Sequence, residues 1–206
     1  MPEREVRSPS QRHELVSVIR GGVAVLAVAW IYAGSQAADT SGTRGLLTYQ
    51  GLMADLPAGE QLLFRELQEG LLEAERDRAV MKRWPDPSAL EADGIPPFAR
   101  DATTKGATYA WRRLQNGTTV NYLGIPSASD APAWLLLIQE PEPGSPPDPA
   151  PDDEEHHRLP DGIVLHISVW KHADGSRLEV ALAPLPQARG WVQIVGRAPV
   201  PAVATP

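Results

Sequence analysis

The sequence predicts an α+β fold: an N-terminal membrane helix, then an amphipathic helix and a short helix packed on an antiparallel sheet of about five to six strands. Three observations carry this expectation. Helical periodicity is confined to the first half of the chain and strand-like runs to the second, an order that separates the helices from the sheet. Asn116-Gly117 stands between two strand-like runs, the strongest short-range signal for a hairpin. Trp134-Leu-Leu-Leu-Ile138 is apolar without interruption, as a strand covered on both faces must be.

Gly21 to Ala38 runs for eighteen residues without a charge, and extending back to Leu15 gives twenty-four broken only by Arg20. About 20 apolar residues cross a bilayer. Arg20 can snorkel to the headgroups at one end, and Trp30 and Tyr32 suit the interface at the other. Arg4, Arg7 and Arg12 precede the run, so the positive-inside rule makes residues 1–14 a cytoplasmic tail, 15–38 a single-pass anchor and the rest external. A cleaved signal peptide is the competing reading, with Ser35-Gln36-Ala37 as the small-x-small site before Ala38. A buried core helix is the third.

The outer part begins at residue 39. Leu46–Met53 reads as a loose helical continuation. Asp55 and Pro57 then open a helix in which Leu56, Leu63, Leu67, Leu71, Ala74 and Met81 share one face, ended by Pro85. Glu66, Glu69 and Glu73 lie opposite that stripe and read as a solvated face rather than a catalytic pair. Asp86 caps a second, short helix starting at Pro87 and stopped by Gly94, with Trp84, Leu90, Ile95 and Phe98 available to seal the core. In the hairpin, a type I′ turn at Asn116-Gly117 pairs Leu114 with Thr119, Arg112 with Asn121 and Trp111 with Tyr122. The first part of the domain closes at 139.

Residues 140–161 then carry eight acids and one base, which leaves 18 acids and 18 bases elsewhere, so the whole formal charge of -7 resides in this stretch. With seven Pro and no aromatic residue it reads as a disordered loop. The second part of the domain, 162–197, offers a strand at 163–172, a turn at Asp174-Gly175, a strand from Arg177 and a last strand from Gly190. Residues 198–206 form a Pro/Ala tail expected to be disordered. A domain neutral outside one acidic stretch lacks the basic face that nucleic acid requires.

The absence of Cys excludes disulfides, thiol nucleophiles and Cys-ligated metals. No phosphate-binding loop, zinc-protease or nucleophile-elbow motif is present, which points to a non-enzymatic protein. What remains is histidine: four of the five fall within seventeen residues, at 156, 157, 166 and 172. Imidazole with carboxylate is a ligand set that zinc accepts without Cys. In a strand over 163–172, His166, Ser168, Trp170 and His172 share a face, and His166 lies about 20 Å from His172, too far to share an ion. A single zinc site would therefore use His156, His157, His166 and a carboxylate, Glu155 or Asp161. The bland alternative is that these are loop residues and the wetter face of a strand.

The segments ELVSVIRGGVAVLAVAWIY, LLFRELQEGLLEAE, RWPDPSALEADGIPPFA and YAWRRLQNGTTVNYLG, in that order, resemble a family of uncharacterised bacterial envelope proteins with one membrane helix and a small outer domain. The resemblance covers roughly residues 10–140. It implies a single-pass protein of the bacterial inner membrane with a periplasmic domain, acting as an accessory to divalent-metal uptake, zinc especially. The implied partners are the lipid bilayer and a metal ABC transporter. The architecture is also similar to that of pilins and pseudopilins, structural components of the envelope. Here, however, Gly22 is followed by Val23, and Ala27 stands where those proteins place Glu.

Overall fold

A computed structural model describes residues 45–99, 108–146, 148–150, 152–175 and 181–197. The chain divides into two units, Met1–Thr48 and Tyr49–Pro206, and the fold that follows is the second. The expected membrane segment, 15–38, and the tail, 198–206, lie outside the described residues. No helix among the described residues is long and apolar enough to cross a membrane.

The elements are β1 (Gln50–Leu52), a 3₁₀ turn (Met53–Asp55), α1 (Ala58–Met81), α2 (Pro87–Ala92), β2 (Tyr109–Asn116), β3 (Thr119–Pro126), β4 (Ala133–Gln139), β5 (His156–Arg158), β6 (Val164–His172), a second 3₁₀ turn (Pro186–Arg189) and β7 (Val192–Val195). The class is α+β as expected, but the sheet is mixed and seven-stranded rather than antiparallel. Its order is β1-β7-β6-β4-β3-β2, with β5 pairing β6 as well, and β1 runs parallel to β7. Gln50–Leu52, expected to prolong a helix, is thus an edge strand.

Helix α1 forms because its apolar residues recur every three or four positions, and it stops where Lys82 enters the left-handed conformation at φ 55°. Leu63, Phe64, Leu67, Leu71 and Ala74 are buried against Val120, Tyr122, Leu136, Ile138, Leu165 and Ile167 of the sheet. Each fully buried Leu or Phe contributes about 1.5–3 kcal/mol. The opposite face carries a smaller core of Leu123, Leu135, Leu137, Trp170, Ala183 and Trp191. Strand β4 lies between the two cores, which is why its sequence shows no alternation.

Helix α2 starts at Pro87 after Asp86 as expected, although the Asp86 side chain makes no cap bond and instead accepts from Arg113 Nε at 2.9 Å. Trp84, Leu90 and Phe98 do close the end of the core, each 3% exposed or less. The Tyr122 hydroxyl donates to the Pro85 carbonyl at 2.7 Å, and Glu140 accepts from both Arg78 Nε and Trp84 Nε1 at 2.8 Å, fixing the helix end to the sheet.

The hairpin differs from expectation in register. Asn116 pairs with Thr119, Leu114 with Asn121, Arg112 with Leu123 and Trp111 with Gly124, a shift of two positions. The loop residues are Gly117 and Thr118, and only Gly117 takes positive φ, at 56°. That is the type II′ pattern, with Gly at the first loop position, so Asn116 remains in the strand. A shift of two leaves every side chain on its expected face. The strand expected from Arg177 begins outside the described residues. Residues 181–185 are not a strand, and Ala183 N–H instead donates to Asn121 Oδ1 at 2.7 Å. Within 140–161, expected to be disordered, His156–Arg158 form β5.

Gly70 marks where α1 meets the Pro96–Phe98 segment. A Cβ there would stand 2.5 Å from the Pro96 carbonyl oxygen and 2.9 Å from Phe98. Overpacking costs about 1–3 kcal/mol, against roughly 1 kcal/mol of helix propensity gained from Ala. Gly70→Ala should therefore destabilise the domain in urea unfolding; unchanged or raised stability would show that the segment gives way.

Candidate functional site

The histidine-rich segment owes its geometry to strand length. Strand β6 has nine residues, and its edge opposite β4 is shared by two shorter strands. β5 pairs with Val164–His166 and β7 with Val169–Lys171. The two meet end to end beside Ile167 and Ser168. The Ile167 N–H donates to the Glu155 carbonyl at 2.7 Å, and the Gly196 N–H donates to Glu154 Oε1 at 2.9 Å, so a side chain completes the junction.

This arrangement sets His156 directly opposite His166. Because the Ile167–Glu155 bond lies just beyond the pair, it is a non-hydrogen-bonded pair, the kind whose side chains approach most closely. The ring centroids are 4.8 Å apart, edge to face. Each ring is oriented by its own carboxylate: His156 Nδ1 by Asp153 Oδ1 at 2.8 Å and His166 Nε2 by Asp148 Oδ2 at 3.0 Å. The other nitrogen of each ring makes no hydrogen bond to the described residues. With side-chain exposures of 24% and 46%, both rings are open to solute.

The carboxylates are tuned by these contacts. The Ala150 N–H, and then the His166 ring, hold the Asp148 carboxyl below the usual range despite slight desolvation. Desolvation pushes the Asp153 carboxyl up, but the His156 ring and the Glu155 and His156 N–H groups outweigh it and bring it below the usual range. Both carboxylates therefore stay ionised and can accept from the imidazole N–H that each faces.

His157, the next residue, alternates to the helix-facing side. Its Nδ1 lies 2.7 Å from Glu75 Oε1, on a carboxylate that is itself only 9% exposed. Glu155 is directed the same way and accepts from Gln193 Nε2 at 3.1 Å. Of the expected set His156, His157, His166 and Glu155, the fold thus brings together His156 and His166 and separates His157 and Glu155 from them. Asp161, the alternative carboxylate, is engaged by Lys82 Nζ at 3.1 Å. His172 faces Asp174 and Trp191. No group of three or more His, Asp or Glu among the described residues is arranged to hold a metal ion.

A family profile matches residues 50–199, from β1 past β7. The chain belongs to DUF6162, a family of unknown function. No curated protein and no solved structure matches it. The DUF6162 region contains the whole of the seven-stranded sheet, the histidine pair and the β5/β7 junction.

Sequence reasoning missed Glu75, Asp148 and Asp153. A signal for Glu75 existed: it stands four residues after Leu71, so it falls on the apolar stripe of α1, where a carboxylate must find a partner. Asp148 and Asp153 carried none, because among eight acids nothing marks the two that meet a ring.

The hydrogen bond that His157 donates to the Glu75 carboxylate raises the His157 value above the ordinary imidazole 6.5, outweighing desolvation. A raised folded-state value means that the pair stabilises the fold in full below the unfolded value and loses that contribution as pH rises through the folded one. In EDTA, the stability gap between wild type and Glu75→Gln should narrow as pH rises from below the ordinary imidazole value through the raised His157 value. A gap that stays constant or widens would contradict the assignment.

Proposed function

We propose that this protein is a non-enzymatic, membrane-tethered metal-handling module whose outer domain receives a divalent ion, zinc foremost, at the His156–His166 pair. The observation that carries the reading is the pair itself: two imidazoles in direct cross-strand register, 4.8 Å apart, each held by its own carboxylate. A carboxylate on the remote nitrogen fixes the ring orientation and raises its basicity toward a metal. Zinc–nitrogen bonds of about 2.0–2.1 Å require two ligand rings that are near neighbours, and rings with centroids 4.8 Å apart on paired strands meet without a loop having to order.

Two imidazoles leave coordination positions to water or to a ligand from another protein. An open set of this kind suits capture and transfer better than storage, for which closed four-ligand sites serve. This fits the expectation of an accessory to divalent-metal uptake, with the domain periplasmic, the 15–38 segment anchoring it in the inner membrane and a metal transporter as recipient. The acidic 140–161 stretch adds a local negative field that raises cation concentration around the pair.

Zinc titration by calorimetry separates the roles of the neighbouring histidines. His156→Ala and His166→Ala should each abolish specific heat, and His157→Ala should retain it. Asp153→Asn should weaken binding by about 10–100-fold, the usual consequence of losing an orienting partner. Indistinguishable heats from the wild type and His156→Ala/His166→Ala would remove the metal reading.

A further inference from the structure

The same β5/β7 junction opens a cavity on the helix-facing side of the sheet, separate from the histidine pair. It has a volume of about 640 Å³, within the range of small-molecule sites. Its floor is Ile167, Ser168 and Val169 of β6, the stretch between the two edge strands, with Ile194 and Val195 of β7 beside it. Phe64, Leu71 and Leu72 of α1 form the roof. Most of these apolar side chains are already below 10% exposed, whereas Leu72 is 48% exposed at the mouth.

The rim has a different chemistry. Asp153, Glu154 and Glu155 line it, against Arg197 and His157. Two of the carboxylates are fixed rather than free to swing. Glu154 accepts through Oε1 from Gly196 N–H and from Gln68 Nε2 at 3.3 Å, and Glu155 through Oε1 from Gln193 Nε2, while Gln193 Oε1 accepts in turn from Gln50 Nε2 at 3.0 Å. In both residues the contacts engage the same oxygen and leave Oε2 without a described partner. An apolar cleft with a preorganised anionic rim discriminates by charge as well as by shape.

We propose that this cleft binds a small amphipathic organic cation, an ammonium compound whose aliphatic or aromatic body lies on Ile167, Val169, Phe64 and Ile194 while its charged head meets Glu154 and Glu155. A neutral molecule of the same shape would gain the floor and forgo the rim. An organic anion would meet two fixed carboxylates. The site uses neither His156 nor His166, and of the groups in the metal reading it shares only Asp153, which borders the cleft and orients the His156 ring.

The test compares phenethylammonium, phenethyl alcohol and phenylpropanoate by calorimetry on the full chain. Phenethylammonium should bind saturably and about tenfold or more tightly than the alcohol, the scale of a hydrogen bond to a charged group, with the anion weakest. Glu154→Gln/Glu155→Gln keeps acceptor oxygens for Gly196 and Gln193 and should erase the advantage of the cation while leaving the alcohol unchanged. Leu72→Trp, at an exposed helix position, should block all three ligands. His156→Ala/His166→Ala should bind phenethylammonium as the wild type does. Equal affinity for cation and alcohol, undiminished cation binding by the double Gln variant, or no saturable binding of any of the three would overturn the proposal.

Discussion

The pairing of β6 with two strands along one edge is the constraint on which the rest of the molecule depends. β6 is nine residues long, β5 three and β7 four, so neither partner can satisfy that edge alone. Unpaired backbone groups in a partly buried sheet are costly, and the chain meets the demand from two places some forty residues apart. β7 also supplies the edge to which β1 adds in parallel, so the sheet has its mixed character because of this arrangement. The acidic stretch is drawn into the fold for the same reason. Three of its residues become β5, and a neighbouring carboxylate, Glu154, closes the junction where the two strands meet.

Function-bearing groups follow from the alternation of β5. Residues 155 and 157 face the helix and 156 faces away, so consecutive residues of a single acidic and histidine-rich run serve two different environments. On one side His156 meets His166 in a solvent-accessible pair with orienting carboxylates. On the other, Glu155 and His157 stand over an apolar floor beneath α1. A disordered loop could have gathered all of these groups around one ion; an ordered strand cannot. The four residues read from the sequence as a zinc set are for that reason divided between the two sides, with only His156 and His166 kept together.

The parts legible in the sequence were those determined by local pattern. The stripe Leu63-Leu67-Leu71-Ala74 placed α1, Pro87 placed α2, and the unbroken apolarity of Trp134–Ile138 marked β4 as central. The hairpin was legible in existence and in sidedness but not in register, because Asn116-Gly117 and Gly117-Thr118 both offer a two-residue turn with Gly at a positive φ. The edges were not legible. Gln50-Gly51-Leu52 is too short and too mixed to show a period of two, and His156-His157-Arg158 is embedded in a composition that by itself argues against order. Both are strands only because a partner strand requires them, and the Glu75–His157 contact, which joins residues 82 apart, depends on the same long-range pairing.

The central claim is that β5 places His156 and His166 together as a metal-accepting pair and turns His157 away from it. Nitrogen-15 NMR of the imidazole side chains, recorded during addition of zinc, tests this most directly. The account predicts that the resonances of His156 and His166 shift together and saturate at the same stoichiometry, with those of His157 and His172 unmoved. Zinc-induced shifts at His157 in place of His166, or no shift at either member of the pair, would contradict it.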